Sequence, residues 1–147
     1  MPKLTEHFSL EEMTFSETAV RHGLDNRPNS RSIQNLTELC EELLEPIREL
    51  TGGPINVTSG FRSPSVNSVV GGSLNSQHMS GEAADINCPL FNPRVLFERI
   101  RNSGLEFDQL INEFGSWVHV SFVSGRTNKR EVLIARMVNG VPRFEQV

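Results

Sequence analysis

The sequence predicts an α+β fold, with N-terminal helices packed on a mainly antiparallel sheet. Helical periodicity dominates up to Leu50, whereas strand-like segments dominate from Ala83 onward. One of these late segments alternates cleanly: Trp117, His119 and Ser121 fall on one face, and Val118, Val120 and Phe122 on the other. Helices first and strands later is the order of an α+β domain rather than of alternating parallel units.

Ser9-Leu10-Glu11-Glu12 reads as a capping box that starts the first short helix. A second is expected from near Ser16 to Gly23, whose lack of a side chain suits a left-handed helix end. Asp25 to Asn29 is turn-rich. The strongest helical pattern runs from Ser32 to Leu50, with Ile33, Leu36, Cys40, Leu43, Ile47 and Leu50 on one stripe. Pro46 should kink it or start a new segment, and Thr51-Gly52-Gly53-Pro54 ends it. Ile55 to Ser59 reads as a strand. Gly60 to Glu82, rich in Ser, Asn and Gly, reads as a long irregular loop, a feature that in compact domains is usually functional or disordered. Strands are expected at Ala83–Cys88, Asp108–Glu113, Trp117–Val123 and Glu131–Val138, and a helix at Pro93–Asn102 with proline in its first turn.

A chain of 147 residues with 37% hydrophobic and 22% charged residues fits a single domain spanning 1–147. Its net charge of -4 gives no general attraction to nucleic acid or to an anionic membrane. Cys40 and Cys88 form no disulfide or zinc-knot pattern. The N-terminus lacks the apolar core of a signal peptide, and no apolar run is long enough to span a bilayer. Synthesis in the cytoplasm is therefore expected, and a substrate outside the inner membrane would require release by another agent.

His78, Asp85 and His119 are the residues that carry chemistry. Two imidazoles and a carboxylate suit a tetrahedral zinc site with one position open, the feature that separates catalytic from structural zinc. His78 and Asp85 lie seven positions apart, which suits a loop residue and a strand residue meeting at a strand entrance, with Gly81 allowing a tight turn. His119 arrives from another strand. Cys88 points away from Asp85 on an extended segment, and His7 and His22 lie in polar helical contexts without partners. Glu113, six residues before His119, could take a proton from water and pass it to a leaving amine. Arg62 is either a surface ion pair or a binder of a substrate carboxylate or developing oxyanion. Trp117 is either core or a wall of a substrate cleft.

Taken together, Ser59-Gly60-Phe61-Arg62, Val70-Gly71-Gly72, Ser76-Gln77-His78 through Gly81 to Ala84-Asp85, Phe107-Asp108-Gln109-Leu110-Ile111, Glu113 and Trp117-Val118-His119-Val120-Ser121 closely resemble the M15 zinc peptidases. These are D-alanyl-D-alanine carboxypeptidases and related peptidoglycan peptidases, with a small branch common in bacteriophages. The resemblance implies a hedgehog/DD-peptidase-like fold and one Zn2+ per chain held at His78, Asp85 and His119. It implies Arg62 as a substrate-binding group and Ser76 as a substrate-side or supporting hydrogen bonder. Several members place the catalytic glutamate three residues before the last histidine, where this chain has Ser116. Glu113 instead matches the smaller branch, provided a tight turn at Phe114-Gly115-Ser116 reverses the chain. Asp108 is the alternative base. Trp117 stands where some relatives carry a histidine.

The expected function is therefore hydrolysis of a peptide bond in the peptidoglycan stem or cross-link, by a phage or prophage endolysin or a virion-associated wall hydrolase. The expected partner is peptidoglycan peptide, with no nucleic acid and no membrane insertion; the sequence leaves the oligomeric state open, with a monomer favoured. The rival expectations are a non-catalytic zinc-containing binding module and a phage structural protein on the same fold.

Overall fold

The computed structural model describes residues 2–147. Two short helices open it, α1 (Leu10–Thr14) and α2 (Glu17–His22). The capping box closes as its residues dictate: Ser9 Oγ accepts from Glu12 N–H, and the Glu12 carboxylate accepts from Ser9 N–H. Gly23 ends α2 in the left-handed conformation.

Helix α3 (Ser30–Leu39) continues through a π-helical turn, Cys40–Leu44, into α4 (Glu45–Thr51). The expected helix thus begins earlier than Ser32, and the change expected at Pro46 is seen as a π-helical turn directly ahead of α4, which carries Pro46 in its first turn. A proline in a continuing helix clashes with the carbonyl four residues back. The widened turn just before Pro46, with Glu45 N–H on Cys40 O, takes up that clash.

Six strands follow: β1 (Asn56–Ser59), β2 (Ala83–Asn87), β3 (Gln109–Glu113), β4 (Trp117–Ser121), β5 (Glu131–Val138) and β6 (Val141–Gln146). They form one sheet in the order β1-β2-β4-β3-β5-β6. All neighbours are antiparallel except β3 and β5, which run parallel. The α+β class and the mainly antiparallel sheet are as expected.

Two expectations need correction. The stretch from Gly60 to Glu82 is not irregular throughout. It contains α5 (Pro64–Val70), capped by Ser63, and a 3-10 turn over Gln77–Ser80, capped by Ser76. Strand β6 was not expected at all. Its turn, Asn139-Gly140, has φ of 53° and 77°, the double positive that favours Asn-Gly in a two-residue hairpin.

The sheet has two unlike faces. Ala84 and Ile86 of β2, Leu110 of β3, and Val118 and Val120 of β4 enter the core with Leu36, Leu39, Leu43 and Ile47 of the long helix and Leu96, Phe97 and Ile100 of α6 (Pro93–Arg101). Truncating a fully buried leucine here, such as Leu36→Ala, should cost about 2–5 kcal/mol. The alternate residues face the other way, into a cleft of about 990 Å³. That cleft receives Asp85, Ile111, Glu113, Trp117, His119 and Leu133.

Candidate metal centre

Register places two members of the centre directly. Asp85 on β2 and His119 on β4 are partners across the antiparallel pair, and their side chains meet with His119 Nδ1 3.0 Å from Asp85 Oδ1. His78 comes from the 3-10 turn. Ser76 Oγ accepts from His78 N–H at 3.2 Å, and Gly81 ends the turn with φ 78°. The turn is fixed to the helical layer by Asn35 Nδ2, which donates to Ser80 O at 2.9 Å. It is fixed to the segment after β1 by Arg62 N–H, which donates to His78 O at 3.0 Å.

The orientation of His78 decides what it can do. Its Nδ1 lies 2.7 Å from Gly60 O. A carbonyl only accepts, so Nδ1 carries the proton. Burial pushes the ring towards its neutral form, which leaves Nε2 with a lone pair. That lone pair faces Asp85 Oδ2 at 3.4 Å. Burial would raise the Asp85 carboxyl, but the hydrogen bond from His119 outweighs it and holds the group well below the usual carboxylate range. A lone pair facing a buried carboxylate is repulsive unless a cation lies between them.

The donor atoms of His78, Asp85 and His119 all lie within 4.8 Å of one another. Ligands about 2.0–2.1 Å from a tetrahedral ion stand roughly 3.4 Å apart. The donor set and its spacing therefore fit a zinc ion. The Gly60 carbonyl behind His78 is the kind of outer partner that fixes a ligand's tautomer. Cys88 is buried in the core with its thiol on Phe91 O, His7 pairs with Glu45 at 2.6 Å, and His22 is exposed; none joins the cluster.

Glu113 reaches the centre because the chain reverses immediately after it. Phe114 and Gly115 have φ of 59° and 66°, and Ser116 N–H donates to Glu113 O at 3.0 Å. Glu113 Oε1 then lies 3.5 Å from His119 Nδ1. Burial raises the Glu113 carboxyl above its ordinary value, opposed by His119 and reinforced by Asp85. Arg62 lines the same cleft with a buried Nε that has no hydrogen-bond partner. Burial lowers its pKa, partly offset by the charges of Asp85 and Glu113. Trp117 is half-buried in the cleft wall and is not core. Ser76 lines the cleft while its hydroxyl caps the turn that carries His78.

Asp108 is engaged elsewhere. Arg126 grips both its oxygens at 2.7 and 3.0 Å, Gln77 Nε2 donates at 2.9 Å and Lys129 N–H at 3.0 Å. Burial opposes ionisation, yet these donors, Arg126 foremost, hold its pKa down at about 2. A carboxylate so fully bonded is a poor proton acceptor, and its place is that of a strut beneath the cleft. The bonds of Gln77 and Arg126 to Asp108 were not expected from the sequence. Arg126 lies on a loop 18 residues away, with no local pattern to announce it.

A buried His-Asp-His donor set beside a desolvated carboxylate, in an open cleft, is the arrangement of a metal-dependent hydrolase. The chain belongs to the M15 peptidases: the family model described as Peptidase M15 matches residues 6–121. A stretch of 62 residues, 42% of this chain, is 44% identical to the zinc D-Ala-D-Ala carboxypeptidase of Streptomyces albus G. That match takes in 24% of the relative's own length, so the chain is similar to about a quarter of that protein.

Proposed function

We propose that this protein is a zinc peptidase that hydrolyses a peptide bond in bacterial peptidoglycan, with His78, Asp85 and His119 as the zinc ligands and Glu113 as the catalytic base. The observation that carries this reading is the convergence of three buried donors with the Glu113 carboxylate 3.5 Å from His119. A purely structural zinc site is closed and has no use for a base in an open cleft.

Zinc, when bound, supplies a Lewis acid that lowers the pKa of water and polarises a carbonyl. The remaining work falls to the chain. Glu113, desolvated and therefore a stronger base than an exposed glutamate, takes the proton of the attacking water and returns it to the leaving amine. Arg62 offers its unpartnered guanidinium N–H to the substrate carboxylate or the developing oxyanion. The sheet holds Asp85, His119 and Glu113 in fixed register, so little ordering is required when substrate binds.

Within this reading the substrate is a stem or cross-link peptide. The protein acts on the wall after release from the cytoplasm or as part of a virion, in the manner of a phage or prophage hydrolase. Support for this finer assignment is the motif set itself, which matches the small phage-type branch. The test is release of amino groups from purified peptidoglycan, with and without a chelator. Chelator-sensitive release that returns on adding zinc is expected. Absence of release by the zinc-loaded protein would make the chain a binding module.

A further inference from the structure

Phe114 occupies a backbone conformation that its residue type resists. Its φ is 59°, followed by 66° at Gly115. A turn with positive φ at both central positions favours Asn-Gly, and the same chain uses Asn139-Gly140 in its other such turn, with φ of 53° and 77°. A bulky side chain in this region is strained and persists where something outweighs the strain. The core does not supply that: the Phe114 ring is not part of it. The ring instead stands in the cleft wall, edge-to-face with Trp117 at 5.8 Å and 69°.

The strand register extends this wall. Glu113 is paired with Trp117 on β4 and with Ala135 on β5, and Ala135 is paired in turn with Phe144 on β6. These four residues form one row across the sheet. Phe144 therefore sits two strands from Glu113, roughly 10 Å away, with only the small Ala135 between them. It lines the same cleft and is 54% exposed, an unusual state for a phenylalanine on a strand. Strand β6 lies beyond residues 6–121, the part matched by the family.

We propose that Phe114, Trp117 and Phe144 form an aromatic subsite for the apolar side chain of the substrate residue next to the scissile bond, and that Phe114 is held in its strained turn for this contact. The inference rests on the peptidase reading above. Rings flanking the base on both sides would desolvate an aliphatic group and align the neighbouring carbonyl with Glu113. The subsite also gives β6 a role, since none of its six residues is buried.

The test measures kinetics on soluble muropeptides, freed from purified peptidoglycan by a muramidase, for the wild type, Phe114→Asn and Phe144→Ala, together with zinc content and Tm. Phe114→Asn should keep zinc, show a Tm equal to or above the wild type, and raise KM by about tenfold. Phe144→Ala, remote from the turn, should raise KM with kcat largely kept. Unchanged KM in both variants would overturn the subsite, and a lowered Tm in Phe114→Asn would overturn the strain argument. A zinc-loaded wild type that cleaves no muropeptide would overturn the peptidase reading itself, and the subsite with it.

Discussion

Asp85 and His119 are register partners on adjacent antiparallel strands, and their side chains meet at 3.0 Å in the cleft. Two of the three proposed metal donors are therefore set by β-sheet pairing, which fixes both backbones at once. The third, His78, is set by a capped turn whose backbone is tied to its surroundings.

This arrangement predicts how the centre responds to loss of one donor. Asp85→Asn keeps the size of the side chain but removes the charge that offsets a dication. The variant should bind zinc at well below one equivalent per chain, as read by metal analysis after dialysis. Chelation of the wild type should lower its Tm, because metal that binds only the folded state stabilises that state by mass action.

Asp108 predicts a separate, pH-dependent effect on stability. Its folded pKa of about 2 lies below the ordinary 3.8. Its contribution is therefore fully present above about pH 4 and is lost as pH falls towards 2. With Arg126 half-exposed, that contribution should be about 1–2 kcal/mol. Urea denaturation of the wild type and Asp108→Asn should show this gap near neutral pH and its closure as pH falls below 4. With Asp108 bonded as a strut and Glu113 proposed as the base, the turnover of Asp108→Asn should stay within several-fold of wild type.

Two glycines are predicted to be indispensable for reasons of space. A Cβ on Gly81 would lie 2.5 Å from Ser32 O of α3, in a residue whose φ is already 78°. A Cβ on Gly60 would drive into the carbonyl oxygen of Met13 and displace the very carbonyl that holds His78. Gly81→Ala and Gly60→Ala should each cost about 1–3 kcal/mol and weaken zinc binding. Gly104→Ala, which meets nothing within 4 Å and has no positive φ, should leave Tm and zinc content close to wild type.

The site was more legible in the sequence than the segment that builds it. His78, Asp85 and His119 stand in short motifs, and the alternation along Trp117–Ser121 correctly separates the cleft face from the core face. The helices between Gly60 and Glu82 were hidden because they are short, held by Ser63 and Ser76 caps and by packing rather than by periodicity. Ser63-Pro64 was the available sign of α5. Strand β6 carried the Asn139-Gly140 turn signal, but Pro142 and the charges at Arg143 and Glu145 spoiled its strand pattern. The grip of Arg126 on Asp108 is purely tertiary. No spacing rule connects a loop arginine to a carboxylate at the start of β3.

The most direct test of the account is mass spectrometry of defined muropeptides after digestion by wild type and Glu113→Gln at matched zinc content. The account predicts that wild type yields fragments whose summed mass has gained one water, while Glu113→Gln keeps its zinc and loses turnover by about 10²–10⁴-fold. Intact muropeptides after digestion with zinc-loaded wild type, or equal products from Glu113→Gln, would contradict it.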